Sequence, residues 1–562
     1  MSKIIDFIIN NKYIILILLL AAVLLFTNLG KADMEGDQAH YAFRSVGYMD
    51  YLGSETQTTP LQWFDEIPWW SKLSFHDHPP LVFLLQHISM KVFGVSAFAA
   101  RLPSALAGLL TIFFIYLIGQ ILYSKEVGLL SSLVLTVSNY FIWISKTALL
   151  EGVMIFFITL SIYFFIKSWS NTRYLFLWGI ALGLAFISKY IAFYLIPVYL
   201  LFILFKKRDW LKDKNFWLSL VLILIICCPV IIYNFMMFSE RGHLDMQFNA
   251  LFHQSDADWP LIQRSPNFNF KSFLTDNLNV LNNVYSSISL FLFAFSLLFF
   301  LCLKNNQHKF FVITSLIFVL IGVTILGSGN RYLSVISIYL ALISGFFLNF
   351  LLKSFNDKKV WKFLIIILLF LLLSIDLLYT INNNVLPLSI SEKLELSTRS
   401  SWVGYNKLDE YFQNKFNNQC STRCPTRGIY ELNIIEKFGE KKCEINNNAV
   451  IIYDDKMNWF ETIWIFDKLR IYQGLPAIHA GALNLMISDE NRAVTNGLNQ
   501  FSEFYFVSLE DESIVDKYSS GVFDSFKKQI LEQSPNVESE TIMGYTGSAS
   551  FKIYKINNLK FY

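Results

Sequence analysis

From Tyr13 to Tyr379 the chain is a succession of apolar runs, most 15 to 25 residues long, separated by short polar stretches; beyond Ile381 such runs stop. A helix of that length crosses about 30 Å of hydrocarbon. The runs predict eleven spans, near 13–29, 98–121, 127–145, 149–167, 174–188, 190–205, 216–238, 284–303, 310–328, 332–352 and 361–380. Two of them, on either side of Lys189, are short for a bilayer, and the pattern allows 11–13 spans. The first run follows Lys3 and Lys12 as in a secretory leader. However, Thr27-Asn28-Leu29-Gly30 lacks a small-x-small cleavage site and further spans follow, so it reads as a membrane helix.

The short loops set the orientation. Lys3, Lys12, Lys125, Lys167, Arg173, Lys206, Lys207, Arg208, Lys212, Lys214, Lys304, Lys309, Lys353, Lys358, Lys359 and Lys362 alternate onto one side, which the positive-inside rule makes cytoplasmic. The loops 30–97 and 239–283 and the tail 381–562 then lie outside.

In the tail the period changes. Alternating stretches at 449–453, 504–507 and 550–556 predict strands and 519–533 a helix, together a small α/β domain. The expected fold is therefore a polytopic α-helical membrane protein, 1–380, with a C-terminal extracytoplasmic small α/β domain, 381–562. Asn382-Asn383-Asn384 reads as a hinge between them.

Composition agrees with this reading. The 562 residues are 54% hydrophobic and only 16% charged, where soluble domains carry about 25%, which excludes an ordinary soluble enzyme. The tail nets −4 and the membrane half +7. Neither has the basic stripe of a nucleic-acid binder. Cys227, Cys228 and Cys302 fall in apolar spans as small packing residues. Cys420, Cys424 and Cys443 fall in the outer domain, where a bridge from Cys443 to Cys420 or Cys424 is chemically reasonable.

Charge near a membrane is costly, so ionisable residues there are functional candidates. With the orientation above, Asp33, Glu35, Asp37, His76, Asp77, His78, Arg101, Lys146, Glu151, Lys189, Arg241 and Arg331 all collect on the outer side. Carboxylates and cations sharing one membrane depth describe a polar cavity open to lipid and water. Such a cavity suits a sugar on a polyprenyl phosphate: cations neutralise the departing phosphate, and a carboxylate takes a proton from an incoming hydroxyl. The bland alternative is that each cation snorkels to the interface. HisProPro can equally be an extended turn with His78 as a structural hydrogen-bonder. No P-loop, nucleophile elbow or HExxH motif is present.

Gly36-Asp37-Gln38-Ala39-His40-Tyr41-Ala42, Asp77-His78-Pro79-Pro80-Leu81, the block from Phe93 to Ala105, Leu149-Leu150-Glu151, Ser188-Lys189 and Arg331-Tyr332 together resemble the polyprenyl-phosphate-sugar glycosyltransferases of the C-type fold. The pattern is similar to the bacterial transferases that add 4-amino-4-deoxyarabinose to lipid A and to the protein O-mannosyltransferases. The resemblance implies Asp37 as catalytic base and Glu151 as the second catalytic carboxylate. It implies His78, Arg101, Lys189, Arg241, Arg331 and Tyr332 as substrate-binding residues, several of them at the lipid phosphate. It also implies an inverting transferase whose acceptor is lipid A, a surface glycan or a protein, at the outer face of a bacterial inner membrane. Three departures stand out. Asp37-Gln38 replaces Asp-Glu and leaves that pair one carboxylate short for a metal; His78 replaces the Lys of the aminoarabinose transferases; Glu151 stands where Asp is commoner. No cofactor is expected, and nothing in the sequence supports a divalent metal. The alternative reading, a transporter or flippase of lipid-linked sugars, calls for ionisable groups through the membrane, and apart from Asp376 these stay on the outer side.

Overall fold

The computed structural model describes residues 2–51, 59–64, 66–254, 270–304, 306–326, 329–388, 394–416, 419–420, 445–446, 448–488, 496–511, 522–533, 537–545 and 547–560. In chain order its helices begin α1 (Ser2–Phe26), α2 (Asp37–Gly47), α3 (Pro60–Trp63), α4 (Leu81–Phe93), α5 (Ala97–Leu122), α6 (Lys125–Val137), α7 (Asn139–Lys146), α8 (Glu151–Ser168) and α9 (Tyr174–Phe186). They continue with α10 (Leu195–Lys206), α11 (Lys214–Arg241), α12 (Met246–Phe252), α13 (Phe270–Val284), α14 (Ser287–Cys302), α15 (Gln307–Leu326), α16 (Ile336–Ser354), α17 (Lys359–Thr380) and α18 (Tyr405–Lys415). The chain forms two compact units: residues 1–29, 67–94 and 99–400, and residues 30–66, 95–98 and 401–562.

Every run expected as a span except 127–145 is an apolar helix in the first unit. Among the described residues, five stretches are long and apolar enough to cross a membrane: α5, α8, α11, Tyr332–Ser354 and Lys359–Val385. The apolar parts of α1, α9, α14 and α15, and Tyr190–Lys206, are shorter. Only 22% of the apolar window of α11 and 11% of that of Lys359–Val385 is buried. Such bare apolar surface needs lipid against it, and the chain is an integral membrane protein.

Three local features differ from the sequence reading. The run 127–145 is broken: α6 and α7 meet at 66°, because Ser138 turns out of the helix and caps α7, while Asn139 Nδ2 donates to the Val284 carbonyl at 3.0 Å and to Thr398 Oγ1 at 2.9 Å. The loop 30–97 contains an apolar helix, α4, started by Pro80. And the three asparagines expected as a hinge are buried in a π-helical turn. Asn382 and Asn383 both donate to the Leu394 carbonyl, and Asn384 Nδ2 donates to Asn139 Oδ1 at 2.7 Å.

Close helix contacts come from small residues, as expected where no hydrophobic drive acts between helices. A Cβ on Gly345 of α16 would lie 2.5 Å from the Ser131 nitrogen of α6, and one on Gly179 of α9 would lie 2.6 Å from the Ser219 oxygen of α11. Asp376, the one strong acid inside the last span, accepts from Ser286 and Ser289 at the start of α14, which gives it a helix-clamping role.

The second unit holds a five-stranded sheet. Strands β1 (Gln419–Cys420) and β2 (Ile445–Asn446) pair separately; β3 (Ala449–Tyr453), β4 (Ala477–His479), β5 (Glu503–Leu509), β6 (Glu538–Met543) and β7 (Ala549–Asn557) are ordered β4-β3-β5-β7-β6. β3 is parallel to both neighbours, and β7 is antiparallel to β5 and β6. Val450, Ile452, Phe504, Phe506 and Ile556 point into a core closed by Leu483 and Phe523. The expected strands and the helix, seen as Val522–Gln533, are all present. The division at 380/381 is not the one contacts make. Residues 30–66 pack with the tail, because Asp33 accepts from the Gly404 and Asn406 nitrogens and Tyr472 donates to the Phe43 carbonyl. Cys424 and Cys443 lie outside the described residues, so the expected bridge does too.

Candidate active site

Glu151 stands in the first turn of α8, where a carboxylate meets the positive end of the helix dipole. Lys189 stands in the turn that ends α9, with extended backbone. The two side chains form an ion pair, 1% and 7% exposed. Arg331 Nε lies 3.9 Å from the same Glu151 Oε1. The Tyr332 ring completes the cluster, its centroid 5.2 Å from Lys189 Nζ and 5.3 Å from the Arg331 guanidinium. Cations over a ring face gain cation–π attraction. Two cations and one carboxylate leave a net charge of +1. Glu151 Oε2 is buried with no hydrogen-bond partner among the described residues.

This cluster is held by the segment carrying His78. Leu81 N donates to the Ile187 carbonyl at 3.0 Å, tying the Pro79-Pro80 turn to the end of α9. Gln86 Nε2 donates to the Ala148 carbonyl at 2.7 Å, three residues before Glu151. The His78 carbonyl accepts from Phe75 N at 3.2 Å. Its ring lies 4.0 Å from Asp77, whose other oxygen is 3.8 Å from His76. All three are buried. Imidazole and carboxylate are also the donors a divalent ion would take.

Beside this lies a carboxylate the sequence reading passed over. Asp245 is fully buried. It accepts from Tyr190 Oη at 2.7 Å and Asn234 Nδ2 at 3.1 Å, and it caps α12 by accepting from the Gln247 and Phe248 nitrogens. Desolvation by burial pushes its carboxyl up to about 6 against the pull of those bonds. Lys189 and Tyr190 are consecutive, so one turn is pinned by Glu151 on one side and Asp245 on the other. The legible signal was modest: an aspartate immediately before Met246-Gln247-Phe248-Asn249-Ala250-Leu251-Phe252, apolar at five of its seven positions, is an N-cap pattern.

The other expected residues are placed differently. Arg101 is buried and donates to the Leu29 carbonyl at 3.0 Å. Lys146 likewise donates to the Leu24 and Thr27 carbonyls, so both cations finish the end of α1. Arg241 is exposed at the last position of α11. Asp37 belongs to the second unit. It is the first residue of α2, half-buried, and follows Gly36 at φ +57° and ψ −149°, a region essentially open only to glycine. In the same unit Arg44 and Asp50 form a buried ion pair.

Residues 77–233 match the family described as dolichyl-phosphate-mannose-protein mannosyltransferase. The stretch contains His78, Arg101, Glu151 and Lys189. The resemblance to the polyprenyl-phosphate-sugar glycosyltransferases holds. Among curated relatives, the chain is 27% identical over 141 residues to the "Putative mannosyltransferase YkcB" of Bacillus subtilis (strain 168), covering 25% of this chain and 20% of that one. Such alignments span between 20% and 45% of the relatives' own lengths. In fold the chain is similar to ArnT from Cupriavidus metallidurans bound to undecaprenyl phosphate, with TM-score 0.52, 14% identity and 98% of each chain covered. It is also similar to the oligosaccharyltransferase AglB from Archaeoglobus fulgidus in complex with an inhibitory peptide and a dolichol-phosphate, with TM-score 0.51, 11% identity, and 97% and 74% covered. At these identities the likeness concerns the fold.

Proposed function

We propose that the chain is an inverting glycosyltransferase that moves a sugar from a polyprenyl-phosphate donor to a lipid, glycan or protein acceptor at the outer face of a bacterial inner membrane. The observation that carries this reading is the buried Glu151–Lys189 pair with half-buried Arg331 and Tyr332 beside it, net positive, in a unit whose apolar surface needs lipid. Eleven spans with the loops 30–97 and 239–283 and the tail outside complete the proposal.

In the reaction the acceptor oxygen forms a bond to the anomeric carbon while the bond from that carbon to the phosphate oxygen breaks, its electron pair leaving with the phosphate. Lys189 and Arg331 meet the charge that develops there. Glu151 orients Lys189, and its Oε2, without a hydrogen-bond partner among the described residues, offers an acceptor to a substrate hydroxyl. Asp37 takes the proton of a hydroxyl acceptor; an acceptor that is itself a phosphate needs no base, and Asp37 then orients groups. His78 and Arg241 are substrate-contact candidates. Arg101 has its bond to Leu29 as a sufficient structural task. The reaction as drawn needs no metal.

The test is mass spectrometry of lipid A, surface polysaccharide and envelope proteins from cells with and without the gene. A sugar lost from one of these fractions, restored by the wild-type gene and not by Lys189→Ala, supports the reading. Unchanged glycosylation with altered distribution of the lipid-linked sugar would instead mark a transporter.

A further inference from the structure

A second polar site lies in the first unit at the far end of α16. About 25 Å of helix separates Ile336, near Arg331, from Lys353 at 1.5 Å per residue. That is close to a hydrocarbon thickness, so the two sites sit at opposite ends of one span. Here the turn after α5, the end of α14, the start of α15 and the end of α16 enclose a cavity of about 330 Å³. It is lined by Lys304, Lys309 and Lys353, by Asn349, and by Tyr123 and His308, whose rings meet edge to face at 5.9 Å. No acidic residue lines it among the described residues.

Its donors are unequally committed. Lys309 Nζ donates to the Leu301 and Leu303 carbonyls at 2.6 and 2.7 Å and closes α14. Lys304 and Lys353 make no hydrogen bond or salt bridge to a described residue, although Glu126 lies within Coulomb range of Lys353. The Tyr123 hydroxyl is buried with no partner among the described residues. Two available ammonium groups, an amide and an unpartnered phenol at the end of a membrane span are complementary to a phosphate anion. Exposed Leu301 and Phe350 on α14 and α16 supply apolar surface for an attached chain.

We propose that this cavity binds a phosphate group, that of an anionic membrane lipid or inorganic phosphate, independently of the Glu151–Lys189 site. The test uses the full-length protein in phosphatidylcholine nanodiscs containing a minor fraction of phosphatidylglycerol, with retained lipid counted by native mass spectrometry. Wild type retains phosphatidylglycerol selectively, and Lys304→Gln/Lys353→Gln loses that selectivity by roughly 10- to 30-fold. Tyr123→Phe, which keeps shape, weakens it less. Lys125→Gln, an exposed lysine outside the cavity lining, leaves it unchanged. In a parallel arm, a melting shift with inorganic phosphate over chloride at matched ionic strength, lost in the double variant and without lipid retention, assigns the site to free phosphate. The proposal is overturned if the double variant equals wild type in both arms, or if Lys125→Gln lowers retention equally.

Discussion

Lys189 donates to Glu151 from a turn 38 residues further along the chain, and the pair sits almost wholly out of water. A buried ion pair is weak evidence for net stability, but removing one partner leaves an uncompensated charge at a cost of about 3–5 kcal/mol. Glu151→Gln keeps the shape and can still accept from Lys189, so it should fold and lose donor affinity or turnover. Glu151→Ala should melt at lower temperature in detergent. Both variants remove the carboxylate charge, so wild-type melting in both would mean that the ion pair is not formed.

Lys189 and Arg331 are predicted to hold the donor phosphate. A charge-assisted hydrogen bond is worth about 1.5–3 kcal/mol, so Ala at either position should weaken binding of a polyprenyl phosphate by roughly 10- to 150-fold. Tyr332→Phe keeps the ring face and should cost little. Unchanged affinity in both Ala variants would leave the cations as interface residues.

Asp245 gives a pH signature. Its folded carboxyl is raised by burial to about 6 from an ordinary 3.8, so the folded state holds a proton that the unfolded state gives up between these values. The stability this contributes is fully present below about pH 4 and is lost as pH rises through about 6. Melting temperatures of wild type minus Asp245→Asn should therefore fall between pH 4 and 6 and level off above. A flat difference would show that Asp245 titrates normally.

In the second unit, Lys468 donates to both Asp409 oxygens at 2.7 Å and lies 3.8 Å from the Trp464 ring centroid. Burial lowers the lysine and raises the aspartate. Asp409→Ala should destabilise the full chain by about 3–5 kcal/mol, while Asp409→Leu with Lys468→Met recovers part of it. If the double variant melts no higher than the single one, the pair contributes more than mutual neutralisation.

Much of the architecture was legible because lipid imposes a simple rule: apart from 127–145, each apolar run long enough to span became a helix, and the alternating tail became a sheet. What was missed depends on distant partners. The 127–145 run carries nothing to announce a bend, since the groups that satisfy Asn139 come from Val284 and Thr398. Residues 30–66 were read with the membrane half by proximity in sequence, whereas Asp33 is satisfied by residues near 404. At the site, Glu151 and Lys189 were legible as candidates but not as partners. That Arg101 donates to the main-chain carbonyl of Leu29 was not legible either, because no side-chain pattern reveals a backbone acceptor.

Asp37 is the proposed acid–base centre, and its test separates two roles. It opens α2 directly after a glycine in a conformation other residues resist, so Gly36→Ala should displace the carboxylate without deleting it. Asp37→Asn keeps shape and removes the basic lone pair. General-base assistance is worth about 10²–10⁴ in rate, so with a hydroxyl acceptor turnover should fall by that order while donor binding stays at the wild-type level. With a phosphate acceptor, already ionised, the fall should be smaller and nearly independent of pH. A pH–rate profile that loses its acidic limb in Asp37→Asn supports the base role; a parallel drop at every pH supports orientation or transition-state electrostatics. Full turnover of the purified Asn variant would remove Asp37 from the mechanism and leave Glu151 as the carboxylate to test next.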